Sequence, residues 1–317
     1  MTISTPSLAI LGILLALGFN RTPAQAQLSR TFVSAAIGSD GNNCDRPTPC
    51  RTFQAAHNKT NADGEITVLD PGGYGSLMIT KSISIVNDGV GESSILVSGG
   101  ATGININAGT AAYVNLRGLT IQGIGFGGGS GLFFAAGFSL TMENCVIRNH
   151  TGFGVKFQPN SDSHLSVSNT LVADNGGDGI MVLTNGAAIT VKIAFNRVEA
   201  YNNSDNGIYL AGIAGTGTLN ATALDTVAAN NNGFGFRADG TGVTTSLMVA
   251  RSASSNNGTG LGGNGAHAIL RVGQSVITGN ATSWNVTGGA ALSSYGDNDI
   301  DGNGDGDPAI PTIIAKK

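Results

Sequence analysis

The feature that most restricts what this chain can fold into is a repeat about 25 residues long. The segments LTMENCVIRNHTGFGVKF, LSVSNTLVADNGGDGIMV, VKIAFNRVEAYNNSDNGIYL, LNATALDTVAANNNGFGF, SLMVARSASSNNGTGLGG and ILRVGQSVITGNATSWNV share one pattern. In each, a polar turn residue precedes an apolar or small one by two places: Asn144 and Val146, Asn169 and Leu171, Asn196 and Val198, Asp225 and Val227, Arg251 and Ala253, Gln274 and Val276. The turn residues are spaced 25, 27, 29, 26 and 23 apart. A second polar marker keeps step at Asn149, Asn175, Asn203, Asn231, Asn256 and Asn280. Next come Gly154, Gly179, Gly207, Gly235 and Gly260, each followed by an apolar residue, with Trp284 in the glycine's place in the last copy. Self-similarity at such a period marks a repeat architecture.

Within a copy the apolar residues alternate, as in Leu140 and Met142, Leu165 and Val167, Leu247 and Val249, Leu270 and Val272. That is the period of a strand, not of a helix. Asn and Gly accept the left-handed backbone that sharp bends need, and stacked Asn side chains can bond from one coil to the next. The pattern predicts an all-β fold, a right-handed parallel β-helix in which each coil buries its apolar face only by stacking on its neighbours. A β-sandwich or propeller is the alternative, but Asn at a coil-length period and an aromatic content of 6% count against it. Shorter alternations upstream, from Ile66 and Val68 to Leu119 and Ile121, extend the expected solenoid over 62–307, with 308–317 as a tail. Before it, PCRTFQAAHNKTN reads as a short amphipathic helix, Phe53 and Ala56 on one face, placed to cap the first coil.

The apolar run LAILGILLALGF is too short for a span of about 20 residues, and small residues stand at Ala24 and Ala26. Residues 1–26 are therefore expected to be a signal peptide, with a membrane anchor as the alternative, since no Lys or Arg precedes the run. No later stretch could span a membrane, so the protein is expected to be secreted or periplasmic. In that setting Cys44 and Cys50, within the lead-in 27–61, are expected to form a disulfide. A metal pair would need further ligands, and only His57 lies near. Cys145 falls in a strand pattern and reads as a packed thiol. A net charge of -4 gives no basic surface for nucleic acid.

The mature N-terminus carries Val33 and Ser34, Gly38 and Asp40, Pro49, Arg51 and Thr52, Ala55 and Ala56, Pro71 to Tyr74, and Lys81 to Ile83. Over roughly residues 32–86 this order resembles the N-terminal lead-in of bacterial secreted right-handed β-helix proteins of the pectate lyase-like superfamily. The resemblance implies the fold and says little about a reaction, because the superfamily holds pectate lyases, polygalacturonases, pectin methylesterases and non-enzymatic surface proteins. The Asn-Thr-Asp, Asp-Asp, Gly-His-Gly and Arg-Ile-Lys motifs of the polygalacturonases are absent. A lyase should leave acidic ligands and a basic residue in register between coils. Glu143, Asp174, Glu199, Asp205 and Asp225 instead fall at different registers, and His57, His150, His164 and His267 are scattered.

Two places are candidate sites. Two residues after the repeat glycine come Lys156, Met181, Tyr209 and Arg237, expected on one strand face and suited to an acidic polysaccharide. The second is the stretch YGDNDIDGNGDGDP, where Asp297, Asp299, Asp301 and Gly302 begin like a calcium loop but Pro308 replaces the closing acid. The repeat accounts for most of this stretch, with Asn298 and Asn303 as markers and Ile300 as the inward residue. That leaves at most an incidental Ca2+ site, or charges that keep a bare strand edge from pairing. The expected function is a cell-envelope or matrix protein that binds polysaccharide or surfaces along one wall; the alternative is a pectate lyase-like polysaccharide lyase.

Overall fold

The computed structural model describes residues 28–123, 127–184, 186, 188–310 and 312–316. The expected signal peptide lies outside the described residues. Each coil contributes strands to two sheets, and every pairing within them is parallel between successive coils. One sheet has nine strands, from Leu77–Ile79 to Thr282–Thr287. The other has twenty and bends once in each coil, so that Ser139–Glu143 and Val146–Arg148 form two panels of one wall. Inward residues stack in columns: Val114, Leu140, Leu165, Ile193, Ala221, Leu247, Leu270 and Leu292 pair in register and all are buried. Phe134 and Phe157 stack at 4.2 Å between coils. Each buried aliphatic or aromatic side chain contributes about 1.5–3 kcal/mol, and stacking provides the cover that one coil lacks. The result is a parallel β-solenoid.

Its bends explain the repeat. At the first bend Asn144, Asn169, Arg197, Asp225, Arg251 and Gln274 have φ between 47° and 54°. At the second, Asn149, Asp174, Asn202, Asn230 and Asn256 have φ between 53° and 61°. The residue after this second set turns inward and carries a ladder: Asn175, Asn203, Asn231, Asn257, Asn280 and Asn303 are joined Nδ2 to Oδ1 at 2.9–3.0 Å. The same Oδ1 also accepts the preceding coil's backbone N–H, as when Asn257 receives that of Asn231 at 3.0 Å. The ladder therefore corrects the sequence at Asn149 and Asn256, whose roles are the left-handed bend; His150 and Asn257 are the inward residues. Adjacent positions both favour Asn, one for backbone angle and one for side-chain amide, so residue type alone cannot fix the register. The same slip occurs at Asn196, where the bend residue is Arg197. A lesser ladder follows the first bend, where the Thr226, Ser252 and Ser275 hydroxyls and the Asn298 amide oxygen accept the N–H of the coil before.

The repeat glycines make room for the ladder. A Cβ on Gly179 would sit 2.8 Å from Asn203 Nδ2, and one on Gly207 2.8 Å from Asn231 Nδ2. In the last copy Trp284 pairs with Leu261, so the glycine's place is taken by Ser283 and Trp284 faces inward.

At the N-terminal end the helix Phe53–Lys59 forms as expected, capped by Thr52 and burying Phe53, Ala56 and His57. The parallel pairing also reaches further than residue 62: strand Leu28–Val33 pairs with Thr60–Val68, in register from Arg30 to Val33 after a bulge. The residues shared with the lead-in pattern are structural. Asp40 accepts the backbone N–H groups of Arg51 and Thr52, and Asp70 accepts from Ala35 and the Tyr74 hydroxyl at 2.6 and 2.7 Å. Cys44 and Cys50 are disulfide-bonded. At the other end, strand Thr312–Ile313 of the expected tail pairs with Ala291–Ser294, so the chain itself covers that panel's edge, while the strand of the acidic stretch, Asp299–Ile300, pairs with Val276–Thr278 in the other panel.

Candidate functional site on the nine-stranded wall

Counting two residues from the repeat glycine places a side chain on the outer face of this sheet, and consecutive coils hold it in register. Phe133 pairs with Lys156, Lys156 with Met181, Met181 with Tyr209, and Tyr209 with Arg237. Lys156 Nζ lies 5.6 Å from the ring centre of Phe133 and 5.4 Å from that of Phe153, within cation–π range. Among the described residues no carboxylate pairs with it. Arg237 stacks on the rings of Tyr209 and Phe234, both 4.9 Å from its guanidinium carbon. Phe234 can lie there because the next coil presents Gly262, where a Cβ would fall 2.2 Å from the ring.

Around Arg237 the wall closes into a polar cluster that the sequence reading missed. Asp239, two residues along the same strand, takes Arg237 Nε at 3.0 Å and Nη2 at 2.8 Å. It also accepts the Tyr209 hydroxyl at 2.8 Å and is nearly buried. Burial, then the bond to Asp239, raises the Tyr209 pKa above its ordinary value, so the phenol keeps its proton. Asp178, 2% exposed, accepts both the backbone N–H and Nδ2 of Asn206 through one oxygen, at 3.0 and 2.6 Å. Burial pushes its carboxyl up to about 6, against the Asn206 bonds and the positive charge of Arg237. The Arg-x-Asp spacing at 237 and 239 was a usable signal, since alternate residues share a strand face; the Tyr209 bond depends on stacking between coils.

The other predicted positions do not join this cluster. Asp297 pairs with Lys316 at 2.6 Å, while Asp299 and Asp301 are exposed. Among the described residues no three Asp, Glu, His or Cys side chains converge to hold a metal, and the first acid of the calcium-like stretch serves an ion pair with the tail. Ile300 does pair with buried Ile277, and Asn298 and Asn303 extend their ladders. Cys145 is buried and its thiol is pushed up to about 11 by burial, which keeps it protonated and unreactive. His57 and His150 are buried, His164 packs on Phe138, and His267 is exposed. Asp225 pairs with Arg251 at 2.9 Å on the opposite wall.

The bent and nine-stranded sheets, with their ladders, agree with the sequence comparison: residues 65–212 match the family model of a right handed beta helix region. The chain is a right-handed parallel β-helix. Solved structures similar to this β-helix include pectate lyase Pel9A, with a TM-score of 0.55 and 15% identity over 90% of this chain and 83% of that one. The A-module of the Azotobacter vinelandii mannuronan C-5 epimerase AlgE4 aligns with a TM-score of 0.53 and 13% identity, covering 82% of each chain. A rhamnogalacturonan lyase aligns with a TM-score of 0.52 and 14% identity over 79% of this chain and 74% of that one. At these identities the likeness is one of fold. No curated protein matches the sequence. No described helix is long and apolar enough to cross a membrane.

Proposed function

We propose that the protein is exported and binds an acidic polysaccharide along the nine-stranded wall. The observation that carries this is the register of Phe133, Lys156, Met181, Tyr209 and Arg237, which sets two cations among aromatic and apolar groups on one flat face. Lys156 and Arg237 stand three coils apart, roughly 14 Å at strand spacing. An extended polyanion can meet both, while its less polar ring faces lie on the aromatic and Met side chains. Lys156 is the stronger anion site, since Arg237 already neutralises Asp239. The Cys44–Cys50 disulfide supports an oxidising compartment and so export.

The test is retention on immobilised pectate and alginate, with a neutral polysaccharide as control. Lys156→Ala should weaken retention on the acidic matrices several-fold, and Lys156→Ala with Arg237→Ala and Asp239→Ala should abolish it. Equal retention of wild type and the triple variant would remove this reading. Polysaccharide cleavage by a lyase is a second reading, favoured by one feature: a buried carboxyl at Asp178, pushed up to about 6 by burial, with Tyr209 and Arg237 one and two coils further along. It requires an ultraviolet-absorbing unsaturated product from pectate or alginate that disappears in Asp178→Asn; absence of any such product leaves binding alone.

A further inference from the structure

The C-terminal tail does more than close a sheet edge. After Ile310 it returns to pair Thr312 and Ile313 with Ser293 and Ser294, and the Ile314 N–H bonds the Ser294 carbonyl at 2.9 Å. This path forms one side of an open cavity of about 830 Å³ against the outside of the twenty-stranded sheet. The volume falls in the range of small-molecule sites, roughly 300–1,000 Å³. The cavity belongs to neither the nine-stranded wall nor its Arg237 cluster.

The lining is of two kinds. Met248, Tyr295 and Ile314 supply apolar and aromatic surface, and the Tyr295 ring lies across Gly273, whose Cβ would be 3.0 Å from the ring. The charged groups are Arg271, Asp297 and Lys316. Asp297 and Lys316 cancel through their 2.6 Å ion pair, and Asp297 also accepts the Gln274 backbone N–H at 3.1 Å. Arg271 is left with no carboxylate or hydrogen-bond partner among the described residues, although it is partly buried. A planar guanidinium free in a half-apolar cleft favours a carboxylate, which it can take through two parallel bonds. Among the described residues this leaves one uncompensated positive charge on the cavity, which favours a ligand with a single negative charge.

We propose that this cavity is a binding site for a small monocarboxylate built on a six-membered ring, with the carboxylate on Arg271 and the ring against Tyr295 and Met248. A sugar acid and an aryl acid share that chemistry, so the probes are glucuronate and benzoate, with glucose and benzamide as neutral counterparts. Titrations of the full-length protein are followed by the NMR shifts of labelled Met248 and by calorimetry. At least one acid should bind at least ten-fold more tightly than its neutral counterpart, and Arg271→Ala should weaken it ten-fold or more while Lys192→Ala, an exposed cation of the same sheet that does not line the cavity, leaves it unchanged. Preference for glucuronate or for benzoate then decides between the two sources. Binding of neither acid, or equal binding to Arg271→Ala with an unchanged melting temperature, overturns the proposal. Arg271→Lys, which keeps the charge and loses the planar fork, should fall between wild type and Arg271→Ala.

Discussion

The Asn ladder makes a prediction that separates two neighbouring residues of the same type. Asn257 is 3% exposed. Its Oδ1 accepts the backbone N–H of Asn231 at 3.0 Å and its Nδ2 at 2.9 Å, while its own Nδ2 donates to the Ala228 carbonyl and to Asn280 Oδ1, both at 3.0 Å. Replacing it with Ala strips the buried Asn231 N–H of its acceptor, at a cost of about 1–3 kcal/mol. The Asn231 amide keeps its bond to the Ala200 carbonyl, and Asn280 Oδ1 keeps the N–H of residue 257, so the remaining losses are smaller. Together with the lost donors, the expected destabilisation is about 2–5 kcal/mol. Asn256 is exposed with φ 55°. Ala there costs about 1–2 kcal/mol for the left-handed backbone alone, and Gly should cost nothing measurable.

Urea midpoints at constant m-value give the stabilities. Because coils couple chiefly to their neighbours, amide exchange supplies the local readout: in Asn257→Ala the Asn231 amide should lose protection, and in Asn256→Ala it should not. If Asn256→Ala costs as much as Asn257→Ala, or the Asn231 amide stays protected in the latter, the assignment of inward and bend residues is wrong.

Three further outcomes are expected. His150 occupies a ladder position, donating Nε2–H to the Ile121 carbonyl at 3.2 Å while Nδ1 has no partner. Burial therefore holds its pKa, like that of His57, below the ordinary 6.5, so the unfolded chain binds more protons and melting temperature should be flat above about pH 6.5 and drop as pH falls below it. Asp178, raised from 3.8 to about 6, acts in the opposite sense, removing stability as pH rises between those values; His150→Asn should shrink the first dependence and Asp178→Asn the second in melting curves against pH. Removing the disulfide with Cys44→Ser and Cys50→Ser should cost about 2 kcal/mol by the chain-entropy estimate for a short loop, seen as a lower urea midpoint and faster proteolysis at the N-terminal cap. Arg237→Ala alone should lose about 3–5 kcal/mol because Asp239 is left buried and unpaired, whereas adding Asp239→Ala should restore most of it; a double variant no more stable than the single one would deny the pair.

What could be read from the sequence follows from how information is carried along a coil. Within one strand the period is two residues, so counting from Gly154, Gly179, Gly207 and Gly235 places Lys156, Met181, Tyr209 and Arg237 in one column, and their pairing follows. Across a bend the count depends on which residue takes the left-handed angle, and this is where residue type misleads: Asn149 with His150, Asn196 with Arg197 and Asn256 with Asn257 each offer two candidates for one place. Asp178 illustrates a further limit. It precedes a repeat glycine as Asn206 and Phe234 do, and Asn206 bonds it through both backbone and side chain. In sequence alone it is another exposed turn acid. Stacking under the next coil changes this, because it removes the carboxyl from water and brings it near Arg237 and Tyr209 from coils one and two places further along. A solenoid site is thus assembled from equivalent positions of different coils, and its chemistry resides in the coils that break the consensus: His150 in an Asn column, Phe234 in a polar one, and Gly262 where its neighbours carry side chains.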